Sequence, residues 1–89
     1  VLFINFGEPE AKYVMKAMKL LRSEGLRSEM YPSSAKLKKQ INYANNKKIP
    51  FVVLVGEQEI EQDSFKLKNM QTGEQSSCNQ EELIRLIRS

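Results

Sequence analysis

Phe51-Val52-Val53-Leu54-Val55-Gly56 is the stretch on which the fold turns. Five consecutive apolar residues, three of them valine, leave no polar side for solvent. The segment therefore reads as a strand covered on both faces and lying at the centre of a sheet, punctuated by Gly56. Immediately upstream, Leu37, Ile41 and Ala44 repeat at i, i+4 and i+7 with Lys36, Lys38, Lys39 and Gln40 outside the stripe. That spacing predicts a helix capped by Ser33 or Ser34 and ended by Asn45-Asn46 ahead of Pro50. Before it, residues 26–31 alternate as a strand with one solvated face would.

Farther upstream, residues 8–24 predict a helix. Pro9 and two glutamates suit its first turn. Ala11, Val14, Met15, Met18 and Leu21 share one face and Gly25 supplies a left-handed stop. Residues 1–6 form a near-continuous apolar run of strand length, covered on both faces. Downstream of Gly56 the pattern changes, because the eight residues before the next strand leave no room for a helical crossover. That strand, residues 64–69, therefore pairs antiparallel, with Phe65 and Leu67 on one face and Lys66 and Lys68 on the other. A turn at residues 71–74 leads to a short polar edge strand, and Asn79 with Glu82 forms a capping box for a last helix. Leu83, Ile84, Leu86 and Ile87 make the buried stripe of that helix.

The order is β-α-β-α-β-β-β-α, an α/β fold. Right-handed crossovers make the first three strands parallel and the last two add as an antiparallel meander. The expectation is one three-layer-like domain over residues 1–89, a five-stranded mixed sheet with three helices.

With 89 residues and 10.3 kDa the chain suits one domain rather than two. Hydrophobic residues make up 40%, charged residues 28%, and no apolar run reaches membrane-spanning length. Cys78 stands alone, which fits a reducing, cytoplasmic compartment. There is no histidine, so histidine-based triads and the common zinc sites are excluded. The first residue is Val1 rather than methionine, as expected of a domain cut from a longer protein.

The net charge of +3 is unevenly placed: between Lys12 and Lys48 there are ten basic residues and two acidic ones, Glu24 and Glu29. A basic middle suits either a polyanion partner or a solvated lysine-rich face. Glu57, Glu59, Glu61 and Asp63 follow with no base between them, but they lack the glycine and final glutamate of a calcium loop and read as a solvated acidic turn. No glycine-rich phosphate loop and no Cys-x-x-Cys occurs. Cys78 reads as a buried or edge cysteine and the four methionines as packing. Nothing marks the chain itself as catalytic, and no cofactor or metal is expected in it.

Three segments occur in one order and spacing: Leu37-Lys38-Lys39-Gln40-Ile41-Asn42-Tyr43-Ala44-Asn45, Ile49 to Ile60 with its Gly56-Glu57-Gln58-Glu59 corner, and Leu67-Lys68-Asn69-Met70-Gln71-Thr72-Gly73-Glu74-Gln75. Together they resemble the C-terminal anticodon-binding domain of the histidyl-tRNA synthetases, class II aminoacyl-tRNA synthetases, over essentially the whole chain. The resemblance implies a non-catalytic module that positions histidine-specific tRNA. A separate catalytic domain of the same chain would use ATP and Mg2+, and the intact enzyme would be a homodimer. In related glycyl, prolyl and threonyl enzymes the anticodon lies near the equivalent corner and following strand. Carried over, that points to Glu59 and Lys68, with Asn42 and Lys48 near the preceding helix end.

The chemistry agrees with this placement. A carboxylate such as Glu59 accepts from the N1–H and N2–H₂ of guanine, and Lys66 and Lys68 reach base acceptors or phosphate. Lys39 and Lys47 are candidate phosphate contacts. Tyr43 can stack on a base or pack at the helix end. The alternative reading is a protein-interaction or regulatory module built on the same domain, or the equivalent domain of a prolyl, threonyl or glycyl enzyme.

Overall fold

A computed structural model of the chain describes residues 1–32 and 35–88. Its elements run β1 (Leu2–Phe3), α1 (Glu8–Ser23), β2 (Glu29–Met30), α2 (Leu37–Asn46), β3 (Phe51–Leu54), α3 (Glu57–Gln62), β4 (Phe65–Asn69), β5 (Gln75–Cys78) and α4 (Gln80–Arg88). The sheet order is β2-β1-β3-β4-β5. β1 is parallel to β2 and β3, whereas β3–β4 and β4–β5 are antiparallel. The mixed sheet, the parallel start and the closing meander are as the sequence reading has them, and β3 is the central strand.

One element corrects that reading, because four helices rather than three are present among the described residues. Residues 57–62, expected as a solvated turn, form α3. Six residues are too few to carry a crossover, so the antiparallel pairing survives the correction. The first two strands are also shorter than the apolar run of residues 1–6 and the alternation of residues 26–31 that announced them, although backbone bonds from Ile4 N to Val53 O (3.0 Å) and from Tyr31 N to Phe3 O (3.2 Å) carry the pairing one residue further.

The sheet has two unequal sides. On one side α1 and α4 bury Phe3, Val14, Ala17, Leu21, Val53, Val55, Phe65, Leu67, Cys78 and Leu83, with Ile60 of α3 packed at the edge. Cys78 is buried, and desolvation first, then the Glu82 charge, pushes its thiol pKa up. On the other side α2 buries Leu2, Ile4 and Val52 with its own Ala44, and Tyr31, Ile49, Leu54 and Met70 pack partly buried against them. No buried residue of β4 or β5 belongs to that second cluster.

Local signals explain the helix ends. Past α1, Gly25 takes φ +78° while Leu26 N bonds to Leu21 O, the left-handed stop that Gly25 suggested. Asn79 and Glu82 exchange the two bonds of a capping box, Glu82 N to Asn79 Oδ1 at 2.9 Å and Asn79 N to Glu82 Oε1 at 3.3 Å. The N-cap position of α2 is Lys36, with no side-chain cap bond; Ser33 and Ser34 lie outside the described residues.

Several expected core positions are corrected. Met15 is 60% exposed, Leu37 41% and Leu86 38%, so each sits at the rim of its stripe. Conversely Gln40, placed outside the stripe of α2, is fully buried. Its Oε1 accepts from Asn5 N at 2.7 Å, and its Nε2 donates to Asn5 O and Ala35 O at 2.9 and 2.8 Å.

Candidate nucleic-acid interface

β4 alternates strictly. Phe65 and Leu67 turn into the larger core, so Lys66 and Lys68 project from the opposite side of the sheet. There they stand across from Leu54 and Val52 on β3, and from Ser77 and Gln75 on β5. The fully buried residues of the second cluster stop at β3, and past β4 only the partly buried Met70 packs against them, so the stretch of β4 that carries Lys66 and Lys68 has no helix buried on it among the described residues. Lys66 and Lys68 are half-buried, as long side chains are when an apolar stem lies along a surface and the charged head reaches outward.

The corner after β3 aims Glu59 at the same side. Val52 and Leu54 belong to the smaller cluster and Val53 and Val55 to the larger one, so in extended backbone the next position on the lysine side is Gly56. The carboxylate oxygens of Glu59 lie 3.9 and 4.0 Å from where a Cβ on Gly56 would stand. Glu59 thus folds back over the end of β3, on the side that Lys66 and Lys68 face. Among the described residues the ion pair is Arg88 with Glu24, at 3.0 Å; none joins Glu59 to a lysine.

Behind the corner, Asp63 closes α3 at φ 52°, ψ 48° and accepts a 2.6 Å hydrogen bond from the Tyr13 hydroxyl of α1. The Tyr13 ring lies 5.4 Å from that of Phe65. Burial, then the hydrogen bond to Asp63 and its charge, hold the Tyr13 phenol well above its ordinary pKa. Sequence reading missed this strut. A tyrosine fifty residues from its aspartate carries no local signal, and only the packing of α3 on α1 brings them together.

The other candidates divide. Lys48, just past α2, lines a recess with Met70, on the side of the sheet where Lys66 and Lys68 project. Tyr43 packs edge-to-face on Tyr31 with centroids 5.3 Å apart, in the smaller core cluster. Asn42, Lys39 and Lys47 are exposed. Asn42 is half a turn from the buried Gln40 and Ala44, so it points away from the sheet. The arrangement is a sheet surface with no helix buried on it, bearing two lysines and flanked by a carboxylate at one end and a lysine at the other. Among the described residues no helix is long and apolar enough to cross a membrane.

The family model of the anticodon-binding domain matches residues 1–89. The histidine–tRNA ligase of Christiangramia forsetii is 58% identical over 79 residues, 89% of this chain and 17% of that protein. The histidine–tRNA ligase of Phocaeicola vulgatus is 46% identical over 89 residues, 100% of this chain and 20% of that one. The chain thus spans about a fifth of the length of these relatives. The crystal structure of histidyl-tRNA synthetase from Nostoc sp. PCC 7120 superposes with a TM-score of 0.92 at 26% identity, covering 98% of this chain and 21% of that one. The RNA-binding domain of threonyl-tRNA synthetase from Cryptosporidium parvum, at 19% identity and a TM-score of 0.86 over 93% of this chain and 21% of that one, shares the fold.

Proposed function

The chain belongs to the anticodon-binding domain family, and on that premise we propose that it binds the anticodon of a histidine-specific tRNA on behalf of a histidine–tRNA ligase. The observation that carries this reading is the uncovered side of β4, where Lys66 and Lys68 project beside the corner that holds Glu59. RNA loops are read by splaying unstacked bases over such a surface, with lysines on phosphates or base acceptors and a carboxylate on a donor-rich base edge. The identity of the relatives, both histidine–tRNA ligases, supports the amino-acid specificity. In the full proposal a separate catalytic domain of the same polypeptide joins histidine to the tRNA with ATP and Mg2+. The parent enzyme is a cytoplasmic homodimer, and these 89 residues only position the substrate.

The test is a titration of the protein with a labelled stem–loop carrying a histidine anticodon and with one carrying a scrambled anticodon. The matched loop should bind more tightly. Lys68→Ala should weaken it by about 1–3 kcal/mol, the range for one good contact, at unchanged melting temperature. Equal affinity for both loops, indifferent to Lys66 and Lys68, would return the domain to a protein-interaction role.

A further inference from the structure

At the end of β3–β4 remote from Glu59, the surface carries an open recess of about 270 Å³. Its apolar lining is Ala44, Ile49, Pro50 and Met70, and its polar lining is Asn45, Gln71 and Lys48. Met70 continues the row of Lys66 and Lys68 along β4 and belongs to the smaller core cluster, so the recess opens on the side of the sheet already described. From Gly56 to Pro50 the extended chain makes six residue-to-residue steps, about 20 Å at the usual rise. That is room for a run of unstacked nucleotides rather than for one.

The backbone at Lys48 marks the place. α2 ends as α1 does, with the amide two residues past the cap returning to the last turn: Ile49 N to Ala44 O at 2.9 Å, as Leu26 N to Leu21 O at 2.9 Å. The residue between takes positive φ in both. In α1 it is Gly25, which adopts φ +78° at no steric cost; in α2 it is Lys48, at φ 55°. A lysine thus occupies the glycine position of a helix stop, and that lysine is one of the residues lining the recess.

We infer that this recess is a second base-binding pocket, which holds the nucleobase at the end of the bound anticodon opposite to the one facing Glu59. The inference rests on the reading that the sheet surface binds the anticodon. The apolar wall lies against the face of an unstacked base, and the two amides each donate and accept along its edge. Lys48 holds the attached phosphate, and no acidic side chain lines the pocket to repel it.

The experiment uses histidine-anticodon stem–loops with an abasic nucleotide at each of the three anticodon positions in turn. Affinities are measured for the parent protein, Asn45→Ala, Lys48→Gly and Glu59→Gln. In the parent, an abasic nucleotide at either end should cost about tenfold, as one stacked base does. Asn45→Ala should shrink the penalty at one end only, and Glu59→Gln at the other end only. Lys48→Gly should raise the melting temperature, because glycine relieves the left-handed backbone, while it weakens every loop about threefold. Unchanged abasic penalties in Asn45→Ala, or both variants acting on one position, would overturn the second pocket and leave the anticodon reading standing. A parent protein indifferent to all three abasic positions would sink both.

Discussion

Gln40 has no accessible surface, and each of its three hydrogen bonds satisfies a backbone group that no strand or helix serves. The amide lies beside Asn5 as a neighbouring strand would, and Asn5 passes the connection on through Nδ2 to Tyr31 O at 2.9 Å. Gln40→Leu should therefore cost about 2–4 kcal/mol by urea unfolding, since it strands buried donors and acceptors. Gln40→Glu should be comparably destabilised at pH 7, because a carboxylate cannot donate to Asn5 O and Ala35 O, and should regain part of the loss as acid protonates it. A Gln40→Leu variant within about 0.5 kcal/mol of the parent, a margin typical of inconsequential surface changes, would refute this account. Glu59 is the opposite kind of residue, half-exposed and joined to no lysine among the described residues. Glu59→Ala should weaken a guanine-containing anticodon by about 1–3 kcal/mol and barely move the melting temperature. Equal losses for loops with and without guanine would make it scaffold. Pattern reading separated these two poorly. Gln40 falls on the buried face by angle, but its polarity argued against burial, and only the unpaired groups near Asn5 explain why a glutamine belongs there.

At the level of elements, the strands and long helices were legible because their signals are periodic or continuous: the apolar run of β3, the i, i+3, i+4 face of α1, the alternation of β4. α3 was not, for a physical reason. Its sequence Glu57-Gln58-Glu59-Ile60-Glu61-Gln62 holds one apolar residue, so there is no period to read, and six residues are too short for helix propensity to act without tertiary support. Support comes instead from Ile60, partly buried against the edge of the larger core, and from the Tyr13–Asp63 bond. Tyr13→Phe keeps the ring on Phe65 and removes that bond, so it should cost about 0.5–1.5 kcal/mol. The phenol gives a second signature. Its pKa is raised in the folded protein, so its contribution is fully present below the ordinary phenol value near 10 and is lost as pH rises beyond it. The parent should lose stability above that pH, and Tyr13→Phe should lose less. Parallel pH curves for the two proteins would show that the bond does not form in solution.

Over the whole molecule, the sheet separates two basic surfaces that the sequence presents as one lysine-rich stretch. Lys12, Lys16 and Lys19 are exposed on α1, which packs on the Phe65 side, whereas Lys39, Lys47 and Lys48 are exposed on or just past α2, on the side where Lys66 and Lys68 project. Composition could not have made that division, because it depends on the crossovers that send the two helices to opposite faces. If RNA lies on the α2 side, the two sets of lysines must behave differently in salt. Each phosphate that a substitution leaves without its lysine lowers the slope of log affinity against log salt by about 0.7 for a single strand. Replacing Lys39, Lys47 and Lys48 together by alanine should flatten the slope by up to three such steps, whereas the same change at Lys12, Lys16 and Lys19 should leave it as it was. Both triple variants alter net charge equally, so a general loss of electrostatic attraction would weaken both and cannot imitate a one-sided result. Equal flattening in the two variants would mean that RNA wraps both sides of the sheet or is held without orientation. Flattening in the α1 variant alone would move the interface to the opposite side.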